Sequence, residues 1–348
     1  MERGGYLNIF SLVVIVGVVS LHMSRTEAAI GLPLDGKSLR RQYYKKLNIC
    51  LNVEAYVKHQ VKVYWSKDHS LTAKLVKLLY ADCMVNGCDA SILLDGPQTE
   101  KNAPQNAGLG AFIIIDKIKT VLEDRCGPGF VSCADILNLA ARDALHLAGA
   151  PSYPVLLGRK DGLESKAAWV DLPSPSISWE AGLAYFQSKG LDVQDFATLL
   201  GAHTMGRTHC NYIWDRLYNF NNTGKPDPTM DKSLLDKLRQ QCPKTVKKSQ
   251  EQNQTVFLTP KYGPSYKFTN AYYTNVISHQ AVLGVDQQIL FNYDTNQLVL
   301  EYAGSFEQFR KEISLSMSRM GALKVLTGNK GEIRRNCHFT NKNNPYIK

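Results

Sequence analysis

The sequence predicts an all-α protein, and three observations support this prediction. Apolar residues recur at helical spacing through nearly the whole chain of 348 residues, and long runs of strand-like alternation are missing. The segment from Ala134 to Ala148 is apolar almost all round, which is typical of a helix at the centre of a core. Pro, Gly and Asn cluster between the periodic segments, so turns separate one helix from the next.

The N-terminus has the features of a secretory signal. An apolar run from Leu7 to Met23 is preceded by Arg3 and followed by a small-x-small cleavage pattern at residues 26–28. A membrane anchor is the weaker alternative, because the strongly apolar part is shorter than the roughly 20 residues that span a bilayer. We therefore expect residues 1–28 to be a signal peptide and the protein to be secreted, without a membrane anchor, to the extracellular space or cell wall.

The net charge of the chain is +10. A basic exported protein is attracted to polyanions such as acidic polysaccharides. Nucleic acid is the rival partner, but the sequence has no basic stripe interleaved with aromatic residues, so we expect no nucleic-acid binding.

All eight cysteines follow the signal segment, and an even number favours disulfides in an exported chain. Spacing alone leaves on the order of 100 pairings open. Two sequons, at Asn221 and Asn253, lie in polar stretches suited to glycosylation.

Helical stripes can be followed along the chain in order. Ile114, Ile118 and Leu122 share one face of a helix. A cluster of Pro and Ser at residues 171–176 then forms a seam between two helical halves. Another stripe begins at Phe306 and is closed by a glycine C-cap.

A short amphipathic helix is predicted from Val193 to Leu200. Asp192 is its N-cap and Gly201 its C-terminal stop, which leaves His203 just beyond the helix end. Taken alone, a histidine among apolar residues is more often a satisfied core side chain than a ligand.

The segment GAHTMGRTHC, residues 201–210, resembles the proximal haem-ligand signature GxHTxGRxxC of the plant secretory (class III) haem peroxidases. Further motifs follow in the family's order from about Cys50 to Asn341. The resemblance implies the two-domain haem-peroxidase fold, with haem b between a distal domain at 29–175 and a proximal domain at 176–348 whose tail returns to the distal domain. It also implies four disulfides: Cys50–Cys126, Cys83–Cys88, Cys133–Cys337 and Cys210–Cys242.

On the proximal side, the resemblance makes His203 the axial ligand of the haem iron. The family's FDNxYY motif corresponds to residues 268–273, and Asp286 follows at the spacing of the family's proximal aspartate. A buried carboxylate on the second ring nitrogen makes an imidazole ligand more basic and favours higher oxidation states of iron. We therefore expect a His203–Asp286 pair.

On the distal side, the frame LVKLLYADCMVNGCDAS at residues 75–91 resembles the family's LLRLxFHDCFVxGCDAS. Lys77 occupies the position of the family's arginine and Ala81 that of its histidine; four residues apart, they share a helix face. The histidine acts as general base toward hydrogen peroxide and the arginine stabilises charge, roles that Ala81 cannot fill and Lys77 fills only in part. Asn106 matches the asparagine that orients the distal histidine and has here lost its partner. Tyr80, with an unperturbed pKa near 10, is a poor base.

Two calcium sites are implied by the resemblance. Asp82, Val85, Gly87, Asp89 and Ser91 occupy the family's distal calcium positions, with Glu100 in the outer shell. This oxygen set suits a hard cation. At the proximal site, Thr204 matches a family ligand, but Thr269 stands in place of an aspartate, so we expect that site to be weak or vacant.

The leading hypothesis is a secreted, glycosylated, monomeric haem peroxidase that oxidises small aromatic reductants with hydrogen peroxide and has impaired catalysis. Pro173 matches the proline whose carbonyl meets such reductants in the family. One alternative is a haem-binding pseudoperoxidase that acts as a sensor or carrier. Another is a calcium-stabilised cell-wall binding protein in which haem is optional.

Overall fold

The computed structural model describes residues 39–244 and 254–346, and within these ranges the chain is mainly helical. The predicted signal segment 1–28 and the second sequon at Asn253 lie outside the described residues. The α-helices, in chain order, are α1 (Tyr43–Lys46), α2 (Val53–Trp65), α3 (Leu71–Cys83), α4 (Phe112–Cys126), α5 (Cys133–Ala148), α6 (Trp179–Lys189), α7 (Val193–Leu200), α8 (Trp214–Tyr218), α9 (Lys232–Gln241), α10 (Ala271–Ile277), α11 (Gly284–Gln288), α12 (Tyr293–Gly304) and α13 (Phe306–Met320).

Helix α5 is the centre of the first helical group, as its all-round apolar character predicts. Helices α2, α3 and α4 all pack against it. Ser132 caps its N-terminus by accepting a hydrogen bond from the Asp135 amide, and Gly149 ends it in the left-handed conformation that glycine favours. The position of α5 therefore fixes the orientation of α3, the helix that carries Lys77 and Ala81.

The second group is organised around α7. Helices α6, α12 and α13 pack against α7, and α10 packs against α12. Asp192 and Asp195 form a capping box at the start of α7, with the Asp192 carboxylate accepting from the Asp195 amide at 2.9 Å. The rings of Tyr273, Tyr302 and Phe309 meet edge to face or tilted between these helices, with centroids 4.9–5.9 Å apart.

Gly201 is the C-cap at which α7 ends, as the sequence predicted. Its φ of −58° is right-handed, and the chain continues from α7 into a tight turn over Gly201–Thr204. A Cβ atom at this position would collide with the hydroxyl of Tyr273 and lie 2.7 Å from the ring of Phe309. The glycine is therefore required for close packing, and that packing holds the turn that carries His203.

A short antiparallel ribbon follows this turn. Strand β1 (Arg207–His209) pairs with β2 (Thr255–Phe257), with Thr208 opposite Val256. Just after β2, the Thr259 hydroxyl donates to the carbonyl of His203 at 3.1 Å. The ribbon thus supports the backbone of the His203 turn from a distant part of the chain.

Four disulfides tie the helices together, and they are the pairs that the family resemblance implies: Cys50–Cys126, Cys83–Cys88, Cys133–Cys337 and Cys210–Cys242. The Cys133–Cys337 bond joins the start of α5 to the C-terminal tail. Arg159 and Asp135 form a buried ion pair at 2.8 Å beside this junction. None of the helices in the described ranges is long and apolar enough to cross a membrane. The division into domains at residue 175 stays a prediction.

Candidate active site

The imidazole of His203 lies in the turn after α7 and pairs with a buried carboxylate. Its Nδ1 is 2.8 Å from Oδ1 of Asp286, which sits on α11 and is 2% exposed. Because an ionised carboxylate can only accept, Nδ1 carries the proton and donates, which leaves the Nε2 lone pair free. A neutral imidazole held in this way is the form that binds a metal ion.

A second donor shares the carboxylate of Asp286. The hydroxyl of Tyr272, on α10, donates to the same Oδ1 at 3.2 Å. Tyr272 lies within the motif at 268–273, but its position in that motif does not predict this contact. The contact joins residues from three separate elements, so sequence spacing alone gave no signal for it.

Opposing influences set the protonation of His203. Burial alone would lower its pKa, but the charge of Asp286 and the hydrogen bond to it raise the pKa above the ordinary value. The charge of Lys77 acts in the opposite direction and lowers the pKa of His203.

Lys77 lies on α3, and its side chain keeps accessible surface. The surrounding protein nevertheless lowers the pKa of its ammonium group by partial burial, and no charged group among the described residues offsets that effect.

Ala81, one turn after Lys77, and Asn106 are both buried, and Asn106 has an unsatisfied acceptor. Ala81 is 1% exposed and Asn106 is 3% exposed. The amide Nδ2 of Asn106 donates to the carbonyl of Glu100 at 2.8 Å, but its Oδ1 is buried and accepts no hydrogen bond. Leaving a buried acceptor unsatisfied costs the desolvation free energy of that group.

Three other titratable side chains near α3 are poorly suited to act as a base. Burial raises the pKa of Tyr80, so its hydroxyl stays protonated. His59 and His69 are exposed, and His69 stacks on Trp65 with ring centroids 4.2 Å apart.

The loop after α3 collects buried oxygen atoms that lack partners. Asp82 and Glu100 are fully buried and Ser91 is 2% exposed. The Ser91 hydroxyl and both carboxylate oxygens of Glu100 have no hydrogen-bond partner. Burial raises the pKa of Asp82 far above its usual range, and the charge of Asp89 adds to this rise. This donor set fits a hard cation such as calcium, which would satisfy the unpaired oxygens and the crowded carboxylates.

One of the predicted calcium ligands in this loop, the carbonyl of Val85, already accepts a hydrogen bond from a lysine. The carbonyl of Val85 accepts a hydrogen bond from the Lys189 ammonium at 3.3 Å, which occupies one of its two lone pairs. Gly87 adopts a φ of +115° and its position leaves no room for a Cβ beside Lys324. No group of three or more His, Cys, Asp or Glu side chains within 39–244 and 254–346 forms a metal site, so backbone carbonyls would have to complete the coordination.

The second predicted calcium site, at Thr204 and Thr269, offers hydroxyl groups where the first offers carboxylates. The hydroxyls of Thr204 and Thr269 lie 2.9 Å apart and hydrogen-bond to each other. The pair is neutral and internally satisfied, so it does not fit calcium.

The other predicted positions lie nearer the surface. Pro173 is half-buried in the segment between α5 and α6, and Asn221 is exposed in a turn after α8.

The helical fold, the four disulfides and the carboxylate–histidine pair agree with the fold of plant haem peroxidases. A family model described as Peroxidase matches residues 57–305. The chain is 55% identical over 335 residues to Probable peroxidase 26 of Arabidopsis thaliana, covering 96% of this chain and 99% of that protein. It is 56% identical over 338 residues to Probable peroxidase 61 of the same plant, covering 97% and 98%.

A more distant relative, the Lignin-forming anionic peroxidase of Nicotiana tabacum, is 41% identical over 298 residues, which cover 84% of this chain and 90% of that protein. The chain belongs to the class III peroxidase family. Membership implies haem as cofactor and hydrogen peroxide with a reductant as substrates.

Proposed function

We propose that this protein is a secreted class III peroxidase that binds haem b through His203 and reacts slowly with hydrogen peroxide. The observation that supports the proposal best is the His203–Asp286 hydrogen bond of 2.8 Å, which leaves Nε2 free. The haem, when bound, supplies the redox chemistry by which peroxide oxidises a donor. The residues of this chain supply its attachment, its electronic environment and the surroundings of the peroxide.

The proximal residues act on the basicity of the axial ligand. Asp286 accepts the Nδ1 proton of His203 and so fixes the tautomer and strengthens electron donation from Nε2. Tyr272 donates to the same carboxylate oxygen, and this hydrogen bond weakens the negative charge that Asp286 presents to His203. These contacts support an intact proximal side.

The distal residues account for the slow reaction. Hydrogen peroxide must lose a proton from one oxygen and receive it on the other, and Ala81 can neither accept nor return it. Loss of a general base costs about 10² to 10⁴ in rate. Lys77 retains a positive charge near the peroxide, but it lacks the planar donor fork of arginine.

Small aromatic reductants are the proposed donors, and Pro173 is the proposed contact for them at the cofactor edge. One calcium ion in the loop of Asp82, Asp89 and Ser91, with Glu100 nearby, would hold the end of α3 in shape. The proposal also includes a signal peptide at 1–28, glycans on Asn221 and Asn253, a monomeric state and attraction to acidic cell-wall polysaccharides.

The test is steady-state oxidation of a phenolic donor such as guaiacol by the calcium-loaded, haem-reconstituted protein. We expect a haem Soret band with hydrogen-peroxide-dependent turnover well below that of an ordinary family member measured in parallel. Full turnover would contradict the assignment of the distal residues, and failure to bind haem would contradict the whole proposal.

A second candidate function is a haem-binding pseudoperoxidase that senses or carries a small ligand. It is favoured by the replacement at Ala81 and by the orphaned Oδ1 of Asn106. A haem spectrum without any peroxide-dependent turnover would select this candidate over the first.

A further inference from the structure

We propose that Tyr272 is a redox-active residue that is oxidised by one electron to a neutral phenoxyl radical while its hydroxyl proton passes to Asp286. The inference rests on the proposed function, because the bound haem is the oxidant of Tyr272. It assigns to the proximal side a site that stores an oxidising equivalent away from the donor-accessible edge of the cofactor.

The position of Tyr272 supports electron transfer to the cofactor. Its ring centroid is 6.3 Å from that of the His203 imidazole, with the rings inclined by 70°. Its hydroxyl lies 3.2 Å from Oδ1 of Asp286, the same atom that accepts from His203 at 2.8 Å. Tyr272 is thus connected to the axial ligand both by ring proximity and through a shared carboxylate.

The protonation of Tyr272 determines how it can lose an electron. Its side chain is 3% exposed and its hydroxyl donates to Asp286, so the phenol keeps its proton at rest. A buried tyrosine that kept its proton on oxidation would become a strongly acidic cation in a poorly solvating environment. Oxidation therefore requires a base already in hydrogen-bond contact.

Among the neighbouring tyrosines, Tyr272 has the suitable base. The hydroxyl of Tyr273 donates to the carbonyl of Ala197 at 3.1 Å, and a peptide carbonyl does not take up a proton at neutral pH. The hydroxyl of Tyr302 pairs with that of Thr198 at 3.0 Å. Only the Tyr272 hydroxyl, of these three, meets a carboxylate.

Further rings lie within reach of Tyr272. The centroids of Tyr272 and Tyr273 are 4.8 Å apart, and those of Tyr273 and Tyr302 are 5.1 Å apart. Tyr302 belongs to α12, so the series leads from the axial ligand toward another helix. Rings this close permit the radical to exchange between neighbours before a donor reduces it.

The proposed step is balanced. One electron leaves the Tyr272 ring and reduces the oxidised cofactor by one equivalent, the O–H bond breaks, and the proton moves along the existing hydrogen bond to Asp286. Hydrogen peroxide is the source of the oxidising equivalent. A donor later returns one electron, and the proton moves back from Asp286 to the phenol oxygen.

The experiment is freeze-quench electron paramagnetic resonance of the haem-reconstituted full chain after mixing with hydrogen peroxide or with peracetic acid. The peracid has a better leaving group and depends less on a distal base. Wild type is compared with Tyr272→Phe and with the matched control Tyr273→Phe. We expect a tyrosyl signal in the wild type and in Tyr273→Phe and loss of most of that signal in Tyr272→Phe.

Haem absorbance and the tyrosyl signal together distinguish failure of the proposed function from failure of this inference. Absence of a Soret band or of any oxidised haem with both oxidants means that the proposed function has failed, and the inference falls with it. Oxidised haem with no tyrosyl signal in the wild type, or with an equal signal in Tyr272→Phe, overturns the inference alone. A change in the haem reduction potential of Tyr272→Phe with an unchanged radical signal would show that Tyr272 merely positions Asp286.

Discussion

The proximal and distal sides of this molecule differ in how completely their polar groups are paired. On the proximal side, His203 and Asp286 meet at 2.8 Å, and Tyr272 donates to the same carboxylate oxygen. On the distal side, the Oδ1 of buried Asn106 accepts no hydrogen bond, and no charged group among the described residues offsets the burial of Lys77. Because different helices carry the two sides, polar pairing can be complete on one of them and incomplete on the other.

The largest expected effect is on haem attachment and concerns the proximal side. We expect His203→Ala to abolish the histidine-ligated haem spectrum, because no other described histidine lies in the turn after α7 with a free Nε2. Ala81→Gly should leave that spectrum intact. His209→Ala, a change to a half-buried histidine of β1, is the control, and absorbance spectroscopy after haem reconstitution is the measurement. A normal spectrum in His203→Ala would refute the assignment of the axial ligand.

The second effect concerns the partner of that ligand. Asp286→Asn keeps the shape of the side chain but removes the charge that holds the Nδ1 proton of His203. We expect haem affinity or peroxide-dependent turnover to fall about 10- to 100-fold, the usual effect of removing such an outer partner. Asp215→Asn, which alters a carboxylate that accepts from Ser176, is the control. Equal values for Asp286→Asn and wild type in a haem titration would mean that the pair is only structural.

Calcium removal should distinguish the two cation sites. We expect chelation to destabilise the wild type by about 2–3 kcal/mol when the calcium present before chelation was ~100 times the dissociation constant. The effect should shrink in Ser91→Ala, which removes an orphaned oxygen, and persist in Thr269→Val. Thermal unfolding with and without chelator is the measurement. A chelator effect that disappears in Thr269→Val instead would place the ion on the proximal side.

The smallest effect concerns a histidine that holds the C-terminal tail against the distal side. The ring of His338 contacts Asp116 at 2.9 Å and Asp95 at 2.8 Å. The hydrogen bond to Asp116 is the main influence that raises its pKa above 6.5; burial and the charge of Lys101 oppose it, and the charge of Asp95 adds to it. Because the folded pKa is raised, the stabilisation is complete below about pH 6.5 and is lost as the pH rises through the folded pKa.

Melting temperatures between pH 5 and 9 test this pH-dependent contribution of His338 to stability. The wild type should lose stability relative to His338→Gln as the pH rises above about 6.5, whereas His279→Gln should follow the wild type. His279 contacts the carbonyl of Thr229 rather than a carboxylate, which makes it a suitable control. Parallel curves for wild type and His338→Gln would contradict the prediction.

Much of this site could be predicted from the sequence. Periodicity and capping gave the exact bounds of α7, and the family motifs brought His203 together with Asp286 and indicated the four disulfides. These features depend either on local sequence or on motifs that occur along the chain in the same order as in the family.

Contacts between distant segments could not be predicted. Gly201 is needed because Tyr273 and Phe309 approach it from α10 and α13, and no local pattern reveals that approach. The Tyr272–Asp286 contact and the Lys189 hydrogen bond to the Val85 carbonyl arise in the same way. Tertiary packing determines such contacts, and the spacing of residues along the chain does not reveal them.

The comparison between the two sides is tested most directly by stopped-flow absorbance of the calcium-loaded haem protein mixed with hydrogen peroxide. The wild type is measured beside the Ala81→His, Lys77→Arg double variant, which restores both distal groups. We predict that the double variant reacts about 10² to 10⁴ times faster, with the same haem spectrum before mixing. Equal rates in the two proteins would show that a base works in the native distal pocket and would contradict the account.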